Sequence, residues 1–264
     1  MVGDSCIEAV RVRLVRVPVD PPRGDAIQQF DALELPIVEI TDRAGRRGVG
    51  FGYTIGTGGT AIRSLLEDQL VPQLHRLDAR AIVKVMRGLA ASIHALAPGC
   101  ISSTALAAID VALWDLAGHR THTPLHLLLG GARDRVPLYN THVGWLNRPL
   151  EEMVDLCVEA VERDGFTALK LKVGKPDPEE DCERVARVRE AVGPATTLMV
   201  DANQSWTIDE AVTRVRRLEA YRLYWIEEPL DATDLDGFER LGAHVAVARA
   251  GGESLYSPAA FHEC

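Results

Sequence analysis

The sequence predicts an α/β protein in two parts: an N-terminal α+β half, then a series of parallel strand–helix units able to curl into a barrel. Three observations carry that expectation. Before residue 131, strands patterned at period two are followed by helical segments. After Arg133-Asp134-Arg135, strands and helices alternate in units of roughly 25 to 30 residues, which calls for a parallel sheet with crossovers of one hand. Asp201, Glu227 and Glu253 each end an apolar segment, and the spacing is 26 residues both times.

Composition bounds the function. With 264 residues and 47% hydrophobic content, the chain can bury a substantial core. A net charge of −9 argues against non-specific binding to nucleic acid or an anionic membrane. No apolar run reaches transmembrane length, and the N-terminus lacks a basic region followed by an apolar core. Cys6, Cys100, Cys157, Cys182 and Cys264 form an odd, scattered set without paired metal spacing. They fit reduced thiols in a cytoplasmic protein better than a disulfide framework.

Residues 7–19 alternate as a strand, with Val10, Val12 and Leu14 at period two. Pro21-Pro22-Arg23-Gly24-Asp25 breaks the pattern and reads as a mobile loop. Residues 33–41 and 47–53 follow as two strands joined by the turn Asp42-Arg43-Ala44-Gly45, which gives an antiparallel meander. Gly48, Gly50 and Gly52 superficially suggest a nucleotide loop, but they lie inside a strand pattern with no Gly-Lys-Ser/Thr beyond them. Helices are expected at about 59–75, 79–97 and 102–120. In the third, Ala105, Ile109, Ala112, Leu113 and Leu116 recur at helical spacing, and Ser102-Ser103 signal its start. Asp110 and Asp115 in it read as packing or ion-pairing residues. His119, His122 and His126 surround a connector over 121–131 and, with no acid or cysteine to complete a site, read as solvated.

In the second part, strands are expected at 136–143, 167–173, 196–201, 223–227 and 245–253, with helices at 149–164, 178–192, 207–220 and 234–242. Functional residues of such a sheet gather at the carboxyl ends of the strands. Along Leu169-Lys170-Leu171-Lys172-Val173 the side chains alternate, so both lysines share one face. Two solvated lysines on a half-exposed strand are the plain alternative, and Asp201 by itself could merely cap the helix that starts near Thr207. Three carboxylates meeting on one rim repel one another unless a cation holds them. All-oxygen ligation suits Mg²⁺ better than Zn²⁺.

The Lys-x-Lys strand, Val200–Trp206 (VDANQSW), Trp225–Leu230 (WIEEPL), Gly251–Ser254 (GGES) and the helix Ala107–Gly118 (AAIDVALWDLAG) resemble the mandelate racemase and muconate lactonising branch of the enolase superfamily. The resemblance runs from about residue 7 to the last. It implies an α+β capping domain, residues 1–131, on a (β/α) TIM-type barrel domain, residues 132–264. It also implies one Mg²⁺ and proton abstraction next to a carboxylate. Asp201, Glu227 and Glu253 are then the metal ligands. Lys172 is the candidate base, and the charge of Lys170 beside it is expected to lower its pKa. Asn203 is placed to bind the substrate carboxylate or orient a ligand, and His142, near the end of the first barrel strand, either contacts substrate or is a core or loop histidine. Glu228 is given a supporting role rather than ligation, and residues 21–31 resemble the family's specificity loop. Glu as the third acid is closer to the mandelate racemase subgroup, which includes acid-sugar dehydratases.

An eight-stranded barrel needs more than the five strands counted here, so the chain is expected to be a truncated form with little turnover. Homo-oligomer formation would be one way to cover an open sheet edge. Three functions follow: a racemase or dehydratase acting on a small carboxylate, a lactonising enzyme or epimerase of the same superfamily, or a non-catalytic fragment that keeps the metal rim. A His-Asp pair further on would favour the first, a lysine-bearing strand the second.

Overall fold

A computed structural model describes residues 3–264. Two compact units result. The first takes in the chain up to Asp20, Phe30–Arg135 and Tyr256–Ala260; the second takes in Pro21–Gln29, Val136–Leu255 and Phe261–Cys264.

In the first unit, β1 (Ile7–Gly24), β2 (Gln29–Asp42) and β3 (Arg47–Phe51) form a sheet in that order. The β2–β3 turn closes on Asp42, whose Oδ1 accepts the Ala44 and Arg46 N–H groups. β1 runs five residues past its expected end. Its prolines are tolerated because β1 is an edge strand. Helical structure over 59–75 is present as α1 (Gly59–Ser64), a π-helical segment Leu65–Leu70 and α2 (Val71–Leu74). α3 (Ile82–Ser92) and α4 (Cys100–Thr121) follow, and the connector expected after them contains a short helix, α5 (Leu125–Leu128).

α4 is the core helix of this unit, with Ala105, Ala108, Ile109, Ala112, Leu113 and Leu116 fully buried. An 18-residue stretch of it is apolar enough, at a mean hydropathy of 1.4, to cross a membrane by length and composition, which corrects the expectation that no segment does. Those residues pack in the unit's own core instead. The alternating glycines of β3 explain how closely it lies: a β-carbon at Gly50 would fall on the Ala108 carbonyl oxygen and the Ala112 nitrogen. Asp115 Oδ2 accepts the Val49 N–H at 2.8 Å, so this acid satisfies a donor of an edge strand.

In the second unit the parallel sheet has the order β4 (Asn140–Gly144), β5 (Ala168–Lys172), β6 (Thr197–Asp201), β7 (Trp225–Glu227) and β8 (Ala248–Ala250). β4 begins four residues later than expected, and β8 stops three residues short of Glu253. α6 (Leu150–Glu162), α7 (Pro178–Val192), α8 (Ile208–Leu218) and α9 (Leu235–Gly242) alternate with the strands, and α10 (Pro258–Glu263) ends the chain. The apolar faces of α6–α9 close a second core over the sheet. Two buried side chains of α7 hold the loops that follow β4 and β5. Arg184 donates to the Trp145 and Arg148 carbonyls, and Asp181 accepts the Gly174 and Lys175 N–H groups.

Candidate active site

The strand register brings the charged residues into line. Lys172 lies beside Asp201 across β5–β6, and Asp201 beside Glu227 across β6–β7. Glu253 follows β8 through Gly251-Gly252. Asp201, Glu227 and Glu253 each offer a carboxylate oxygen, and the three lie within 4.8 Å of one another. Asp201 is buried, Glu227 partly so, and Glu253 keeps an exposed face. The acids do converge.

Both lysines point into this cluster and are only 7% exposed, so they are not a solvated pair. Lys172 Nζ donates to Asp201 Oδ2 at 2.7 Å. Lys170 Nζ donates to Glu227 Oε1 at 2.6 Å and stands 3.2 Å from the same Asp201 oxygen. Asp201 Oδ1 accepts the Asn203 backbone N–H at 3.0 Å. Asp201 is therefore no helix cap: α8 is capped by Thr207, whose hydroxyl accepts the Glu210 N–H while Glu210 returns the bond.

Burial works against the Lys170 charge, but Asp201 and the hydrogen-bonded Glu227 outweigh it and hold Lys170 above the usual lysine range. Glu253 is pushed up, by desolvation first and then by the charges of Glu228 and Asp201, with Lys172 opposing. Because Glu253 keeps an exposed face, repulsion between carboxylates is the better physical account of that shift. Three carboxylates against two ammoniums leave the rim short of positive charge. Asn203 Oδ1 is buried with no hydrogen-bond partner. The three acids, closely spaced and under-neutralised, form an all-oxygen donor set that fits a hard divalent cation such as Mg²⁺.

Aromatic residues wall the lysines. Lys172 Nζ lies 5.4 Å from the Trp145 ring centroid and Lys170 Nζ 5.7 Å from that of Tyr139. The Arg23 guanidinium also lies over Trp145, at 5.5 Å. The segment expected to be a mobile loop is pinned here. Asn147 Oδ1 accepts the Gly24 N–H and its Nδ2 donates to the Pro22 carbonyl, both at 2.9 Å, and the Leu146 N–H donates to the Gly24 carbonyl.

His142 sits on β4 with an exposed side chain. Partial burial, then the charges of Arg23 and Arg148, lower its pKa, so its electrostatic neighbours are those arginines. Glu228 is buried, accepts Gln204 Nε2 at 2.8 Å, and is raised chiefly by desolvation, as suits a supporting residue. Sequence reasoning did not single out Trp145, Tyr139 or Gln204. Trp145 directly follows the end of β4 and Gln204 lies three residues past the end of β6, and a place just beyond a strand's carboxyl end is the signal that could have found them.

Residues 7–130 match the mandelate racemase/muconate lactonizing enzyme N-terminal domain, and residues 152–264 match the enolase C-terminal domain-like family. The 3,6-anhydro-alpha-L-galactonate cycloisomerase of Streptomyces coelicolor is 38% identical over 262 residues, covering 97% of this chain and 71% of that protein. A crystal structure of a racemase from Streptomyces coelicolor A3(2) with bound magnesium superposes with a TM-score of 0.93 at 37% identity, over 97% of this chain and 72% of that one. That of L-talarate/galactarate dehydratase from Salmonella typhimurium LT2, liganded with Mg and L-lyxarohydroxamate, superposes with a TM-score of 0.89 at 37% identity. It covers 94% of this chain, which spans 64% of the dehydratase.

Proposed function

The chain belongs to the mandelate racemase/muconate lactonising branch of the enolase superfamily, and we propose that it removes the proton α to a carboxylate in a hydroxy acid or acid sugar, as a Mg²⁺-dependent racemase or dehydratase. The observation that carries this reading is the buried Lys172 at 2.7 Å from Asp201, within a cluster of three acids on adjoining strands. The likeness to a talarate/galactarate dehydratase supports acid sugars as the substrate class.

Asp201, Glu227 and Glu253 are the residues that would hold Mg²⁺. When bound, it supplies positive charge to stabilise the enediolate that develops as the α-proton leaves. Lys172, in its neutral amine form, takes the proton at Nζ. Lys170, kept an ammonium by Asp201 and Glu227, sets a fixed positive charge beside it. Trp145 and Tyr139 limit water near both amines, and Arg23 over Trp145 adds a charge that favours an anionic substrate. Asn203 orients a ligand through its unpartnered oxygen, or the substrate carboxylate through its Nδ2 donors. His142, its pKa lowered, meets the substrate as a neutral imidazole at neutral pH. The five free cysteines accord with a cytoplasmic location.

Lactonisation or epimerisation from the same site is the second reading, favoured by the likeness to a cycloisomerase. A panel of acid sugars, aryl and alkyl hydroxy acids incubated with Mg²⁺ tests the proposal through α-proton exchange. Activity is expected only on carboxylates with an α-proton and an adjacent hydroxyl, and EDTA should abolish it. Activity confined to esters, phosphates or nucleotides would overturn the proposal.

A further inference from the structure

The three acids stand on three separate strand ends, so something must fix the spacing of the loops that carry them. A metal site tolerates little looseness in its ligands. Glu253 presents the difficulty most sharply, because it lies beyond the last residue of β8.

One side chain reaches all three loops. Gln204 follows Asp201 by three residues, and its Nε2 donates to Glu228 Oε2 at 2.8 Å and to Ser254 Oγ at 3.0 Å. Glu228 is next to Glu227, and Ser254 is next to Glu253. The amide oxygen of Gln204 accepts the Ala232 N–H at 3.0 Å, and its backbone N–H donates to the Glu228 carbonyl at 2.6 Å. The amide can face only one way. Its two N–H donors meet two acceptors and its oxygen meets a donor, whereas a flip would set that oxygen against the Glu228 carboxylate.

The backbone around it is unusual. Asn203, Gln204 and Glu228 have φ of 46°, 62° and 38°, a region that L side chains rarely adopt. Such conformations persist where surrounding contacts over-determine them, and they gather at functional sites. Gln204 supplies several of those contacts.

We propose that Gln204 is the positioning residue of the metal site, clamping the loops after β6, β7 and β8 so that Asp201, Glu227 and Glu253 meet at one point. The proposal rests on these acids being the ligands, and the test separates the two claims.

Mn²⁺ is titrated into the 264-residue chain and free ion is read by electron paramagnetic resonance, with thermal melts by circular dichroism on every variant. Asp201→Asn is the control for the ligands and should abolish binding. Gln204→Leu, close in size but without donors, should weaken Mn²⁺ binding by about 10- to 100-fold, the usual cost of losing a residue that orients ligands. Ser254→Ala removes only the link to the β8 loop and should weaken it by less. The double variant should bind no worse than Gln204→Leu alone, because both changes break the same bond. If Asp201→Asn binds like the wild type, the ligand assignment fails. If Asp201→Asn abolishes binding while Gln204→Leu and Ser254→Ala bind like the wild type, the positioning role is overturned. Should Gln204→Leu not fold, Ser254→Ala decides alone, and unchanged affinity counts against the clamp.

Discussion

Asp201 and Glu253 sit in one cluster yet carry opposite stakes for stability. Asp201 is fully buried, and one of its oxygens faces two ammoniums at 2.7 and 3.2 Å. Replacing it with Asn strands the Lys172 charge, while Lys170 keeps Glu227, so Asp201→Asn is expected to cost about 3 kcal/mol in urea denaturation without added metal. Glu253 is crowded chiefly by other carboxylates and keeps an exposed face. Glu253→Gln should leave metal-free stability unchanged or raise it by under about 1 kcal/mol, while abolishing Mn²⁺ binding. The two substitutions should therefore divide on stability and agree on the metal. The 26-residue spacing made the acids readable in the sequence, and strand alternation made the lysine pair readable, because both are local regularities. Which oxygen meets which amine depends on the β5–β6 register, and no single strand encodes that.

At the scale of elements, two contacts can be broken separately. β3 lies against α4 with glycines facing the helix backbone, so Gly50→Ala drives a methyl group into the Ala108 carbonyl. A loss of about 1 to 3 kcal/mol is expected, the usual cost of overpacking. The shift in the urea midpoint measures it. The β1 tail is held at Pro22–Gly24 by Asn147 through two hydrogen bonds. Their loss is worth about 0.5 to 1.5 kcal/mol each, so Asn147→Ala should speed trypsin cleavage after Arg23 roughly tenfold. Here the sequence misled in an instructive way. Two prolines and a glycine read as a mobile loop, but the pinning side chain lies more than a hundred residues further along the chain. The glycines of β3 were rightly refused as a nucleotide loop, though their close packing on α4 appears only once both elements are in place. The shortened β4 and β8 show that apolar runs mark where strands lie better than where they stop.

At the scale of the whole molecule, each unit carries its own hydrophobic core. Of the four tryptophans, Trp145, Trp206 and Trp225 belong to the second unit and Trp114 to the first. Fluorescence therefore reports mostly on the unit with the acidic cluster. Mg²⁺ at a hundred times its dissociation constant should stabilise that unit by about 2.7 kcal/mol and raise its melting midpoint. An unmoved midpoint in saturating Mg²⁺ would deny the cluster a metal. The two-part architecture was readable because the hydrophobic period changes near residue 135. The assignment of Pro21–Gln29 to the second unit was not, since it depends on the distant Asn147.

The proposed chemistry turns on one proton and one amine. The most direct measurement is exchange of the substrate α-proton in D₂O, followed by proton NMR, using acid sugars with and without Mg²⁺ and comparing the wild-type chain with Lys172→Ala. Mg²⁺-dependent exchange by the wild type, lost by about a hundredfold or more in Lys172→Ala, is the expected result. Exchange that is undiminished in Lys172→Ala, or indifferent to Mg²⁺, would contradict the assignment of Lys172 and the acidic cluster to a single proton-abstracting site.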